Sequence, residues 1–280
     1  MKIAIASGKG GTGKTTITVN LALTLVARGE AVTLLDADVE APNAHLFLST
    51  TVTRTEDAAI PTPVIDADRC TACGECARFC AYRAIAAIKG RPLLFPELCH
   101  GCGGCAKVCP VGAITERGRK IGVVEVGTAN GMDWAQGRLD VGQPMSPPLI
   151  RAVKRHAANT GVTLVDCPPG TSCPVIAALR GCDRAILVTE PTPFGLNDLV
   201  LAVDTVRALG IPFGVVINRA DTGNDGTEAF CRREAIPVLG RIPDDRRIAE
   251  AYSRGEPIVA TMPQYQTLMA EIWKRSGEKP

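Results

Sequence analysis

Eight of the chain's twelve cysteines fall between Cys70 and Cys109, in two runs of identical spacing. The first is Cys70-x₂-Cys73-x₂-Cys76-x₃-Cys80, and the second is Cys99-x₂-Cys102-x₂-Cys105-x₃-Cys109, followed by Pro110. Each cysteine recurs 29 positions later, from Cys70 at Cys99 to Cys80 at Cys109, so the segment is an internal duplication. A stretch this short cannot bury enough apolar surface to hold itself together and needs staples. Disulfides would require an oxidising compartment. The opening MKIAIASGKGG has no charged stretch followed by an apolar run and a cleavage site, so a reducing, cytoplasmic setting is expected. Structural zinc uses two C-x₂-C pairs, not two runs of four.

The spacing resembles that of bacterial two-cluster ferredoxins, where the fourth cysteine of each run ligates the other run's cluster. The resemblance implies two [4Fe–4S] clusters. One would be held by Cys70, Cys73, Cys76 and Cys109, the other by Cys99, Cys102, Cys105 and Cys80. Ala81 stands where the second run has Pro110. A changed turn is expected there, with all ligands kept. His100, next to Cys99, could tune a cluster by hydrogen bonding.

A second signature lies at the N-terminus. Gly8-Lys9-Gly10-Gly11-Thr12-Gly13-Lys14-Thr15-Thr16 follows an apolar run and opens a helical stretch, satisfying G-x-x-x-x-G-K-[ST]. Its glycines let backbone N–H groups wrap phosphates at a helix N-terminus. Lys14 would reach the β- and γ-phosphates of ATP, and Thr15 would ligate Mg²⁺. Further on, short apolar runs at 3–7, 32–35, 123–126, 164–166, 185–189 and 214–218 alternate with helical stretches at 15–27, 149–158, 175–180 and 196–208. That rhythm predicts an α/β fold with a mostly parallel sheet covered by helices on both faces. The cysteine segment breaks it. The expected organisation is a discontinuous ATPase domain, 1–60 and 121–280, carrying a small ferredoxin-like domain at 61–120 inserted after the second strand.

Lys9 extends the reading. Lys9-Gly-Gly-x-Gly-Lys14-Thr15 resembles the deviant Walker A motif of the MinD/ParA/Mrp and nitrogenase iron-protein group of P-loop ATPases. In that group the extra lysine reaches across a dimer interface to the partner's nucleotide, as an arginine finger does. The resemblance implies that Asp38, in Asp36-Ala37-Asp38, orients the attacking water with Asp36 supporting it. It also implies that Asp166 holds Mg²⁺ through water, and that Asn218 and Arg219 contact adenine. Segments 38–43 and 166–173 match its two switches. The subgroup implied is the one with an inserted ferredoxin domain, to which the phrase beginning Thr189-Glu190-Pro191 is also similar. ATP-dependent homodimerisation, or pairing with a paralogue, is expected.

Departures matter too. Mrp-like cluster carriers end in a C-x-x-C, whereas this chain has only Cys231 in that half. Cys173 lies seven residues after Asp166, like the switch II cluster ligand of the nitrogenase iron protein, but is read first as a small buried residue. Cys167 and Cys182 read as core. Tyr265, Leu268, Met269, Ile272 and Trp273 form an apolar stripe expected to pack on the core rather than on a membrane. A net charge of +2 and 4% aromatics do not suggest nucleic-acid binding. The function expected is Mg²⁺-dependent ATP hydrolysis coupled to the two clusters, serving cluster assembly or delivery, or gated electron transfer to a redox or metallocluster partner. The alternative is a non-enzymatic scaffold or electron wire.

Overall fold

The computed structural model describes residues 1–89 and 91–277. The chain runs β1 (Lys2–Ala6), α1 (Lys14–Ala27), β2 (Val32–Asp36), β3 (Thr50–Ile65), α2 (Glu75–Phe79), β4 (Ile85–Ile88), β5 (Arg91–Leu94), α3 (Gly104–Lys107), β6 (Ile114–Ala129) and β7 (Met132–Leu139). It continues α4 (Pro147–Lys154), β8 (Val162–Asp166), α5 (Cys173–Leu179), β9 (Arg184–Thr189), α6 (Pro193–Ala208), β10 (Phe213–Asn218), α7 (Gly226–Arg233), β11 (Val238–Ile242), α8 (Arg246–Ser253), α9 (Ile258–Thr261) and α10 (Pro263–Gly277).

Nine strands form one sheet in the order β11-β10-β9-β1-β8-β2-β7-β6-β3. From β11 to β7 neighbours are parallel; β6 and β3 close the sheet antiparallel. Side-chain alternation explains the two-sided core. In β1, Ala4 and Ala6 face the layer that holds Leu149, Val175 and Leu199, while Ile3 and Ile5 face the layer of Leu21, Leu25 and Met269. Strand residues buried on both faces read as continuous apolar runs, which is why these strands were visible in the sequence.

The predicted parallel α/β sheet is observed, with one correction at its edge. The run at 123–126 is a fragment of a 16-residue antiparallel strand, and its partner β3 is equally long. The pairing starts at Thr50 opposite Ala129 and runs to Ile65 opposite Ile114. Only Gly122–Ala129 of β6 also pairs with β7. Beyond a bulge between Ala58 and Ala59, the rest is a two-stranded ribbon that leaves the sheet and carries the cysteine segment. β3 was not legible because Pro61, Pro63 and the charges at Arg54, Glu56 and Asp57 mask its alternation. It is the outermost strand, the place where proline is tolerated.

α10 lays Tyr265, Met269 and Ile272, the stripe seen in the sequence, into the core beside α1 and β11. Gly240 leaves room for it: a Cβ there would sit 2.5 Å from Ile272. Among the described residues no helix is long and apolar enough to cross a membrane.

Candidate functional site

The turn from β1 into α1 is possible because Gly11 and Gly13 take left-handed backbone angles, φ 78° and 92°. Gly13 is also crowded by Asn218, whose Nδ2 donates to the Thr12 carbonyl at 2.9 Å and ties the loop to the end of β10. The loop opens onto a cleft of about 380 Å³ lined by Gly10, Gly11, Gly13, Lys14, Thr15 and Thr16, with Asn218 and Arg219 beyond. Asp38 and Asn43 form another part of its wall. Gly8 and Thr12 do not line it. Gly8 instead lets the loop pack on α6, where any Cβ would lie 2.0 Å from the Asp198 carbonyl oxygen.

Part of the wall, Pro243, Asp244, Asp245 and Tyr252, had not been recognised in the sequence. The turn signal Pro243-Asp244 after an apolar strand could have placed a loop there, but only the sheet order brings it opposite the phosphate loop.

Three carboxylates gather beside α1, Asp36 and Asp166 buried and Asp38 half-buried. Thr15 Oγ1 donates to Asp166 Oδ2 at 2.6 Å and Thr18 Oγ1 to Asp166 Oδ1 at 3.2 Å. Asp36 accepts the backbone N–H groups of Asp38 (3.1 Å), Asn43 (3.0 Å) and Ala44 (3.0 Å), which fixes the loop after β2. Asp36, Asp38 and Lys14 were expected together, and the structure brings them together with Asp166.

Burial, helped by the Asp166 charge, pushes Asp36 up to about 8. Burial likewise raises Asp38, to about 6, although Lys14 pulls it down. Asp166 is raised by burial against the pull of Lys14 and the two threonine hydroxyls. Raised carboxylates favour the protonated fold. Their stabilisation is complete below the ordinary value of 3.8 and is lost as pH rises through about 6 and about 8. A divalent cation would displace those protons and relieve the mutual repulsion. The gain in melting temperature on adding Mg²⁺-nucleotide to chelator-treated protein is therefore expected to be larger near pH 8 than near pH 6. An equal or smaller gain near pH 8 would show that these carboxylates do not meet the cation.

Lys9 does not line the cleft. Its Nζ lies 3.2 Å from Glu190 Oε2, and Arg219 Nη1 lies 3.0 Å from Glu190 Oε1. Glu190, at the end of β9, had been noted only as part of a family-like phrase.

On the ribbon, the eight cysteines surround two cavities. Cys70, Cys73, Cys76 and Cys109 line one; Cys80, Cys99, Cys102 and Cys105 line the other. Each cavity takes three thiols from one run and one from the other. The duplication extends to the backbone, since α2 and α3 both start after a left-handed glycine, Gly74 (φ 76°) and Gly103 (φ 70°). Cys76, Cys105, Ile85 and Ile114 are the buried residues of this segment's small apolar cluster. Backbone N–H groups reach Cys109 Sγ from Ala113 (3.2 Å) and Cys99 Sγ from Gly101 (3.4 Å). The Ala113 N–H lowers the Cys109 thiol, whereas burial pushes Cys105 up to about 11. Tyr82 stacks on His100 at 3.5 Å beside the second cavity. Among the described residues, no three His, Cys, Asp or Glu side chains converge on a point as a single metal ion requires.

Outside the ribbon, Cys167, Cys182 and Cys231 are buried and Cys173 is exposed at the start of α5, not buried as expected.

A phosphate loop between β1 and α1, at the carboxyl ends of parallel strands, defines a P-loop nucleotide-binding protein of the α/β class. The model of the CobQ/CobB/MinD/ParA nucleotide binding domain matches residues 3–258, and the chain belongs to that family. An uncharacterised protein of Methanocaldococcus jannaschii is 35% identical over 80% of each chain. The iron-sulfur cluster carrier protein of Pyrococcus horikoshii is 26% identical over 92% of this chain and 79% of its own length. In fold, the chain is similar to the septum site-determining protein MinD of Pyrococcus horikoshii, solved with Mg-ADP, at a TM-score of 0.62 and 21% identity, covering 99% and 96% of the two chains.

Proposed function

We propose that this chain is an ATP-hydrolysing dimeric switch coupled to two [4Fe–4S] clusters, serving cluster assembly or gated electron transfer to a partner metalloprotein. The observation that carries the reading is the crossed sharing of the cysteines. Each cavity is ringed by four thiols, drawn three and one from the two runs, as a pair of cross-ligated clusters requires. The donor set fits: all eight are thiols, and the rest of the lining is mostly small or apolar side chains, such as Ile65, Ala113 and Ile114 in one cavity and Phe79 and Ile85 in the other, with Glu75, Tyr82 and His100 the larger polar ones. When bound, the clusters supply one-electron redox chemistry at potentials set by their surroundings. The segment 61–120 is then an inserted ferredoxin-like domain on the ribbon.

At the nucleotide site, the loop N–H groups and Lys14 would bind the phosphates, while Thr15 would ligate Mg²⁺ and Asp166 would hold it through water. The orphaned buried oxygen Asn43 Oδ1, on the cleft wall, suits a polar ligand there. Asp38 accepts a hydrogen bond from the attacking water and must be ionised to do so, so hydrolysis falls below about pH 6. Lys9 meets the partner subunit's phosphates. Asn218 and Arg219 flank the base.

The deciding test is coupling. ATP and cluster reduction must affect each other reciprocally if the switch and the clusters share one equilibrium. Anaerobic redox titration with and without ATP is expected to shift a midpoint potential, and calorimetry is expected to give an ATP affinity that differs about 5–150-fold between oxidised and reduced protein. If neither moves in protein carrying both clusters, the ribbon domain is a passive wire or docking module and the proposal fails.

A further inference from the structure

Glu190 occupies an unusual position for a buried carboxylate. Its side chain is 9% exposed and binds two cations, Lys9 at 3.2 Å and Arg219, which lines the nucleotide cleft, at 3.0 Å. The backbone that presents it is rigid. Thr192 N–H donates to the Glu190 carbonyl at 2.9 Å, and Gly195 N–H donates to Thr192 Oγ1 at 3.0 Å. Gly195 and Gly223 pack so closely that a Cβ would lie 2.3 Å from the Glu190 carbonyl oxygen and 1.9 Å from that of Pro191. The carboxylate is thus held in one place at the end of β9, next to the strand that feeds the phosphate loop.

Lys9 lies on a different footing. It sits in a glycine-rich turn, its side chain is 32% exposed, and no other carboxylate is paired with it among the described residues. It can swing while Glu190 cannot. Removing Lys9 from a buried acid would ordinarily leave an uncompensated charge, which is strongly unfavourable. Here Arg219 remains, held on Glu190 and also paired with Asp244 at 3.6 Å. The second cation makes departure of the first affordable.

We infer that Glu190 is a positioning residue that parks Lys9 within its own subunit until a nucleotide-loaded partner offers a phosphate in exchange. Association then swaps one charge-assisted contact for another instead of forming a wholly new one, which weakens dimerisation and suppresses premature engagement. This rests on the proposal that Lys9 acts across the dimer, and the parking role can fail while that proposal stands.

The test uses the full chain carrying Asp38→Ala, so that ATP-bound dimers accumulate, and reads the protein concentration at half-dimerisation by sedimentation. Glu190→Gln is expected to lower that concentration about tenfold, the size of one charge-assisted hydrogen bond. Glu190→Asp, which keeps the charge but withdraws it, is expected to fall between, and it keeps the test open should the glutamine variant not fold. In a Lys9→Ala background Glu190→Gln is expected to change nothing, because any effect that ran through Arg219 would persist there. The inference is overturned if neither Glu190 variant strengthens dimerisation although Lys9→Ala weakens it, or if the strengthening survives without Lys9. If Lys9→Ala alone dimerises and, with Asp38 restored, hydrolyses ATP like the parent, the trans role itself falls and the parking role with it.

Discussion

Replacing Cys109 with alanine is expected to empty the cavity built by the first cysteine run and to spare the one built by its own run. Cys109 lines the cavity of Cys70, Cys73 and Cys76, and Cys80 lines that of Cys99, Cys102 and Cys105. Anaerobically reconstituted parent should hold about eight irons and eight acid-labile sulfides, four of each per cluster. The Cys109→Ala protein should hold about half, with one of two electron paramagnetic resonance signals lost. Cys80→Ala should remove the other signal. The effect is large because a thiolate ligand is lost outright, and because the segment's apolar cluster is too small to hold its shape alone. Zinc in place of iron, or loss of the same signal in both variants, would defeat the crossed arrangement.

The second large effect concerns Lys14. Its ammonium is almost fully buried at the start of α1, and its charge pulls both Asp38 and Asp166 downward. Lys14→Ala removes the charge that meets the β- and γ-phosphates. Truncating one partner of a buried charged pair costs about 2–5 kcal/mol, so nucleotide affinity is expected to fall about thirtyfold or more. It also leaves Asp38 and Asp166 without the cation that offsets their charge, so the melting temperature near pH 8 should drop as well. Asp38→Ala separates binding from chemistry. Nucleotide affinity should persist while turnover falls about hundredfold or more, as expected for loss of a group that acts on the reacting water. Normal turnover by Asp38→Ala would remove it from the mechanism.

These results bear on how a nucleotide signal could travel. The loop that follows β2 is tied by three backbone hydrogen bonds to Asp36, and β3 begins only a few residues later at Thr50. β3 and β6 then stay paired, through bulges at Val52/Arg54 and Ala58/Ala59, from the sheet edge to the cysteine segment. Reorganisation of the carboxylates on Mg²⁺ binding would act at the root of a stiff ribbon rather than on a flexible tether. The bulge at Ala58 and Ala59, opposite the buried Ile121, is where that ribbon can bend.

Much of this molecule was readable without coordinates because its chemistry depends on local spacing. A phosphate loop needs glycines and a lysine within a few residues, and clusters need cysteines at fixed intervals, so Gly13, Lys14 and the two cysteine runs stood out. Strands buried on both faces announce themselves as apolar runs, and that was enough for the parallel part of the sheet. What the sequence could not supply was long-range placement. β3 hides behind two prolines and three charges that only an edge strand tolerates, and the ribbon exists because β3 finds β6 some fifty residues later. The Pro243–Asp245 wall of the cleft depends on strand order. So does the Glu190 pairing, which joins the ends of three strands that are neighbours in the sheet and far apart in the chain. Local motifs are set by chain geometry over a few residues. Charge pairs between strand ends are set by which strands lie side by side, and only the packed sheet decides that.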